Sequence, residues 1–256
     1  MSVGAAPAPY DATMTIDYTA HLRSDGELMA RAVARDLEAH VPSCPAWNVA
    51  KLTIHTGQHH RWVADAVRKG GEEPVDPPKP GLRGDALVQW FREGWSDLAG
   101  LLDTTADDAR SWSWSGDNRA GFWRRRTTLE TLVHRWDAEN ATGEATPLDP
   151  ELAADGVDEI LFVFVVQDGD TVYRGVPLQV TVTTTDTRSA WTLDLEDGAT
   201  PRPARGDGAG SPEGSVGVSG TAEDLLLFLW GRRGPESVAF RGADEHVAAL
   251  LSWLRE

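Results

Sequence analysis

Cysteine is all but missing: Cys44 is the single one in 256 residues. No intrachain disulfide can form, and there is no second thiol to complete a CxxC site. Lysine is scarce too, at Lys51, Lys69 and Lys79, so arginine carries nearly all the positive charge. That charge falls well short of the acidic groups. The 24 Lys and Arg against 40 Asp and Glu leave a formal net charge of −16. A field of that sign repels nucleic acid and anionic membrane surfaces. Long apolar runs are also absent. The longest, residues 160–166 and 225–230, are far below the ~20 residues a bilayer-spanning helix needs. The first ten residues, MSVGAAPAPY, have neither the basic start nor the apolar stretch of a secretory signal. These absences predict a soluble, cytoplasmic protein that binds neither nucleic acid nor membrane.

What is present divides into a helical first part and a mixed second part. Apolar spacing predicts helices over residues 17–37, 48–69, 85–102 and 121–140, with a fifth starting near Pro150. Gly70-Gly71 stops the second helix, and Asp85 reads as the N-cap of the third. Four amphipathic helices joined by connections of uneven length suggest a bundle. After Gly169 the texture changes. Residues 178–184 (LQVTVTT) and 190–195 (AWTLDL) alternate and are β-branched, so they read as paired strands. Residues 197–215 are rich in Gly, Pro and Ser and predict a mobile surface loop. A helix over 221–230, a short strand over 237–240 and a last helix over 243–254 complete the chain. The fold class expected is α+β, a helical bundle over residues 12–165 and a small α/β domain over 166–256.

The chemistry gathers on two of the helices. Glu130 and His134, in ETLVH, are four residues apart and stand on one helical face, where they can grip a single ion. Leu129, Val133 and Trp136 form the adjoining apolar stripe, so the pair borders the core. On the second helix, Leu52, His55, His59, Val63 and Ala66 share one stripe, which puts two imidazoles on a face expected to be buried. Packing the two helices side by side brings one of those histidines, His55 or His59, to Glu130 and His134. Two nitrogens and an oxygen leave coordination positions open, as a catalytic zinc site requires. Asp137, three residues beyond His134, is placed to orient a ligand from behind. Taken alone, such a Glu–His pair on a helix is more often a solvated or helix-stabilising contact than a metal site. Cys44 has no basic group near it in sequence to lower its pKa, so it reads as a packed residue rather than a nucleophile. Arg124, Arg125 and Arg126 are candidates for binding an acidic substrate, although arginine runs on helices usually include solvated members.

Three blocks carry a resemblance. Residues 41–62, VPSCPAWNVAKLTIHTGQHHRW, are similar to the start of the mycothiol-dependent maleylpyruvate isomerase family, where Val-Pro-x-Cys-Pro-Gly-Trp leads into a helix carrying a histidine. Residues 123–143, WRRRTTLETLVHRWDAENATG, resemble that family's metal helix, and residues 220–234, GTAEDLLLFLWGRRG, resemble a motif of its C-terminal domain. The blocks stand in the family's order. Ala46 departs from the usual glycine, Leu129 stands where many members have histidine, and His59 is an extra imidazole.

The resemblance implies a DinB-like four-helix bundle holding zinc or another divalent metal, joined to a small α/β domain that helps close the site. By motif position His55, Glu130 and His134 are the implied metal ligands. Arg232 is the implied catalytic and cosubstrate-binding arginine reaching in from the C-terminal domain. The implied cosubstrate is mycothiol, a low-molecular-weight thiol. Its metal-bound thiolate would attack a small electrophile, either to isomerise a cis double bond in an anionic acid or to transfer the thiol. A zinc hydrolase built on the same ligands and a binding module without activity are the rival classes. The hydrolase would need no thiol.

Overall fold

A computed structural model describes residues 16–143, 145–167, 172–206 and 214–254. The first ten residues, and the middle of the predicted 197–215 loop, lie outside these.

Four helices form the first part: α1 (Tyr18–Val33), α2 (Val49–Lys69), α3 (Gly84–Thr104) and α4 (Ala120–Thr142). Side-chain caps start two of them. Asp17 accepts from Ala20 N–H and Asn48 from Lys51 N–H, meeting donors that a helix start leaves unpaired. Gly70, at φ 74°, ends α2 in a left-handed conformation that favours glycine. Helix α1 stops at Val33, four residues before the expected end, and α3 begins at Gly84. Asp85 therefore sits in the first turn of α3 and does not cap it. In the bundle α1 packs on α3 and α4, and α2 packs on the same pair from the other side.

Helix α4 is enclosed nearly all round. Leu129, Leu132, Val133, Trp136 and Ala138 are buried, and so are Arg126, Thr127, Thr131, His134, Arg135, Asp137 and Glu139. Charged groups at that depth persist only when paired. The arginine run is accordingly spent inside the molecule. Arg124 donates to the carbonyls of Leu102 and Thr105 and pairs with Asp107. Arg125 holds Asp155 and Asp158, and Arg126 bridges Glu130 and Glu159.

Helix α5 (Pro150–Glu159) is capped by Asp149 and runs into a π-helical turn (Ile160–Phe164) and a short end, α6 (Val165–Gln167). A five-stranded mixed sheet follows, made of β1 (Leu178–Thr184), β2 (Ala190–Leu195), β3 (Arg202–Arg205), β4 (Val216–Gly220) and β5 (Ala239–Arg241). Their order is β3-β2-β1-β4-β5, antiparallel except for the β1–β4 pair. Pairing Val180 with Leu193 and Val216, and Val182 with Trp191 and Val218, puts one row of apolar side chains on one face. Helices α5, α7 (Ala222–Leu229) and α8 (Asp244–Trp253) complete this second core, into which Leu129, Leu132, Val133 and Trp136 of α4 also reach. The chain is thus α+β, as expected. Strands β3 and β4 were not anticipated, and the last strand lies at 239–241 behind a 3-10 turn over Pro235–Ser237. Among the described residues no helix is long and apolar enough to cross a membrane.

Candidate metal centre

The α2–α4 contact brings together the three residues expected to meet. One ligand-type atom from each of His55, Glu130 and His134 lies within 4.8 Å of the other two. Glu130 Oε1 is 3.3 Å from His55 Nε2 and 3.1 Å from His134 Nε2. The rings of His55 and His134 meet edge to face, 5.1 Å apart. His55 is the open side of the group, with 43% of its side chain exposed against 18% for Glu130 and 8% for His134.

Glu130 and His134 are each aimed by a partner behind them. Arg126, one turn before Glu130, ties down Oε2 and turns Oε1 toward the two imidazoles. His134 Nδ1–H donates to Asp137 Oδ2 at 2.9 Å, which points Nε2 at Glu130. Asp137 is fully buried and receives two further groups. Ser43 Oγ–H donates at 2.5 Å, and Arg232 approaches with Nε at 3.3 Å and Nη2 at 3.0 Å. The C-terminal domain therefore touches this group through Arg232, the end of a chain Arg232–Asp137–His134. Arg233, next in sequence, turns away to Glu223 and Asp224. Trp47, from the Cys-Pro-Ala-Trp block, lies against His55 at 4.9 Å between ring centres.

The charges are arranged to attract a cation. Burial would push His134 down, but the Glu130 and Asp137 carboxylates outweigh it and raise the imidazole to about 9. Burial would likewise raise Glu130, yet Arg126 and His134 hold it well below the usual carboxylate range. Asp137 also lies low, with burial opposed by hydrogen bonds from His134 and Arg232. Two ionised carboxylates thus hold a proton on one imidazole. A divalent cation on Oε1 and the two Nε2 atoms would answer the same demand, and an N, N, O donor set suits zinc. The residues present fit a metal.

Of the stripe expected on α2, Leu52, Val63 and Ala66 are buried, but His55 is exposed and His59 half-buried; Val49, Thr53, Thr56, Gly57, His60, Ala64 and Val67 make up the rest of the buried side. Small residues at 53, 56 and 57 let α2 settle on its neighbours along that line, with Gly57 under the Trp90 ring. His60, unremarked in the sequence, is fully buried and 2.9 Å from Thr131 Oγ1. His59 is outside the three-donor group. Burial drives it down to about 4, and its Nε2 has no hydrogen-bond partner. His59 lines a cavity of about 320 Å³ with His55, Gln58, Trp62, Asp76 and Pro77. Cys44 is partly buried, and burial together with Asp137 pushes its thiol up, away from reactivity. Ser43 and Glu159 escaped the sequence reading. Arg126, read there as a candidate for an acidic substrate, instead orients Glu130, and its four-residue spacing from Glu130 was the local signal.

Fold and donor set define an α+β protein with a candidate metal centre between two bundle helices, backed by its second domain. Two family models identify the lineage. One, the mycothiol maleylpyruvate isomerase N-terminal domain, matches residues 19–139, and the corresponding C-terminal domain matches residues 151–249. The chain belongs to the mycothiol maleylpyruvate isomerase family. It is similar in fold to a crystal structure of the mycothiol-dependent maleylpyruvate isomerase, at 15% identity and a TM-score of 0.60, covering 88% of this chain and 91% of that one. A histidine-to-alanine mutant of that isomerase matches equally well, at 14% identity, a TM-score of 0.60 and the same coverage. No curated protein matches the chain in sequence.

Proposed function

We propose that this protein is a metal-dependent enzyme that uses mycothiol as a thiol cosubstrate against a small electrophile. The observation that carries the reading is the convergence of His55, Glu130 and His134 from two helices, with Glu130 and His134 aimed from behind. His55, Glu130 and His134 would hold zinc or another divalent ion. Bound there, such an ion would deprotonate a thiol whose unperturbed pKa is about 8.5, supplying a nucleophile without an enzyme cysteine.

The remaining roles belong to the chain's own residues. Arg126 and Asp137 fix the ligand directions, and Cys44 stays a neutral thiol. Arg232, held by Asp137, presents positive charge from the second domain to an anionic substrate or transition state. In the isomerase version the thiolate adds to a conjugated cis double bond. Arg232 steadies the enolate while the single bond rotates, and elimination of the same thiolate leaves the trans product. A second reading, thiol transfer in which the adduct is kept, is favoured by one feature. The described residues lining the cavity beside His55 include Asp76 and no lysine or arginine, which suits an uncharged electrophile better than a dicarboxylate.

The experiment is to load purified protein with zinc and incubate it with mycothiol and a panel of electrophiles, maleylpyruvate among them, reading products by mass spectrometry. About one metal per chain is expected, following from one three-ligand site, and it should be lost in His55→Ala, Glu130→Ala and His134→Ala. Activity should require added thiol and survive Cys44→Ser. Turnover in thiol-free buffer would favour a hydrolase, and full metal retention in all three variants would remove the metal assignment.

A further inference from the structure

Away from the metal centre, the C-terminal domain holds a partly open cavity of about 430 Å³. The sheet contributes Val180, Val182, Leu193 and Val218 to its wall. Helix α7 adds Leu225 and Leu229, α8 adds Leu250 and Trp253, and the π-helical turn closes it with Ile160 and Leu161. Every described residue in its lining is apolar.

The bulky side chains that could have filled this space are engaged elsewhere. Phe162 lies under the Arg205 guanidinium, 4.2 Å away. Phe164 packs against Trp114 and Trp230, and the Tyr173 hydroxyl donates to the Val176 carbonyl. The wide π-helical turn leaves the smaller Ile160, Leu161 and Val165 facing the cavity.

An apolar space of this size is expensive to leave empty, because its lining forgoes contacts roughly in proportion to the volume. Most of the exposed lining is apolar, so water there finds few of the two to four polar partners that a buried water needs. A protein segment would bring N–H and C=O groups with few partners to receive them. The volume lies within the ~300–1,000 Å³ range of small-molecule pockets.

We propose that this cavity is a binding site for an uncharged, apolar small molecule such as an alkyl chain or fused hydrocarbon rings. The site is separate from the three-donor group and independent of the thiol chemistry. Its occupant is held by burial alone, without a charged anchor among the described lining residues.

The test uses the full chain, the neutral fluorophore N-phenyl-1-naphthylamine and 1-decanol as probes. One saturable fluorophore site per chain is expected, displaced by 1-decanol, with a rise in Tm on saturation. Val182→Phe and Leu250→Trp each project added bulk into the cavity. A variant that stays folded by circular dichroism should melt higher than wild type without ligand and bind the fluorophore at least tenfold more weakly. Binding unchanged in a folded cavity-filling variant, or no saturable binding to wild type, would overturn the proposal. So would sedimentation showing a dimer whose formation excludes the fluorophore, because a second copy would then be the occupant.

Discussion

Two adjacent arginines at the end of α7 have opposite assignments. Arg232 donates to the buried Asp137, which in turn holds His134, whereas Arg233 pairs with Glu223 and Asp224 of α7. Arg232→Ala is therefore expected to keep its metal and lose turnover by roughly 10²-fold, the scale of a lost charge-stabilising group. Arg233→Ala should cost far less. Steady-state kinetics with metal analysis on both variants would check this, and equal small losses would mean that the second domain only supports the bundle. His59 gives a contrasting case. Its Nε2 is buried without a partner and its pKa sits near 4, so it is a neutral group with an unmet hydrogen bond. Replacing such a group by an apolar one of similar size is near neutral or stabilising. His59→Leu should retain the metal and unfold within about 1 kcal/mol of wild type or later, as urea denaturation and elemental analysis would show.

At the level of elements, the approach of helices in the bundle rests on glycines as much as on leucines. A Cβ on Gly57 of α2 would run into the Trp90 ring of α3, and one on Gly26 of α1 would stand 2.8 Å from the Trp95 ring. Gly100 on α3 has open space around it. Alanine favours a helix over glycine by about 1 kcal/mol, while forcing a methyl into a packed contact costs typically ~1–3 kcal/mol. Gly100→Ala should therefore stabilise the protein and Gly57→Ala destabilise it. Denaturant midpoints measured side by side would decide, and a gain from Gly57→Ala would mean that α2 can shift away from α3 at little cost. The same closeness goes with the wider burial of α2, where Thr53, Thr56 and Gly57 are buried beside the expected Leu52, Val63 and Ala66.

Across the whole molecule, Asp158 joins the parts. It is completely buried on α5 and accepts from Arg125 of α4, Trp191 Nε1 of β2 and Arg205 of β3, at 2.7–3.1 Å. Removing it takes an acceptor from all three, Trp191 Nε1 being buried. Asp158→Ala should cost about 3–5 kcal/mol and open the junction of bundle and sheet to limited proteolysis. A wild-type cleavage pattern with unchanged stability would show that the junction does not depend on this carboxylate. Acid should loosen the fold by a second route. Burial drives the His60 imidazole well below its ordinary pKa of ~6.5, so the unfolded chain binds a proton that the folded one refuses. Its contribution to stability is complete above ~6.5 and is lost as pH falls below that value. Between pH 6.5 and 5, stability in wild type should depend on pH more steeply than in His60→Asn, by up to ~1.4 kcal/mol per pH unit. Parallel curves would assign the acid sensitivity to other groups.

Local pattern was enough for the helices, for β1 and β2, and for the pairing of Glu130 with His134, because each is written in spacings of two or of three to four residues along one segment. It was enough, too, for the three blocks that tied the chain to its family. Strand β4, with Gly217 and Gly220 in five residues, has little strand propensity of its own and forms because β1 and β5 pair with it. Which histidine of α2 joins α4 was open in the spacing and depended on how the two helices rotate against each other. The contact of Arg232 with Asp137 spans 95 residues, and the apolar cavity is bounded by elements scattered from Ile160 to Leu254. Such contacts depend on how whole faces fit and on which buried charge finds a partner. Those are properties of the folded chain in three dimensions, which no local run of residues contains.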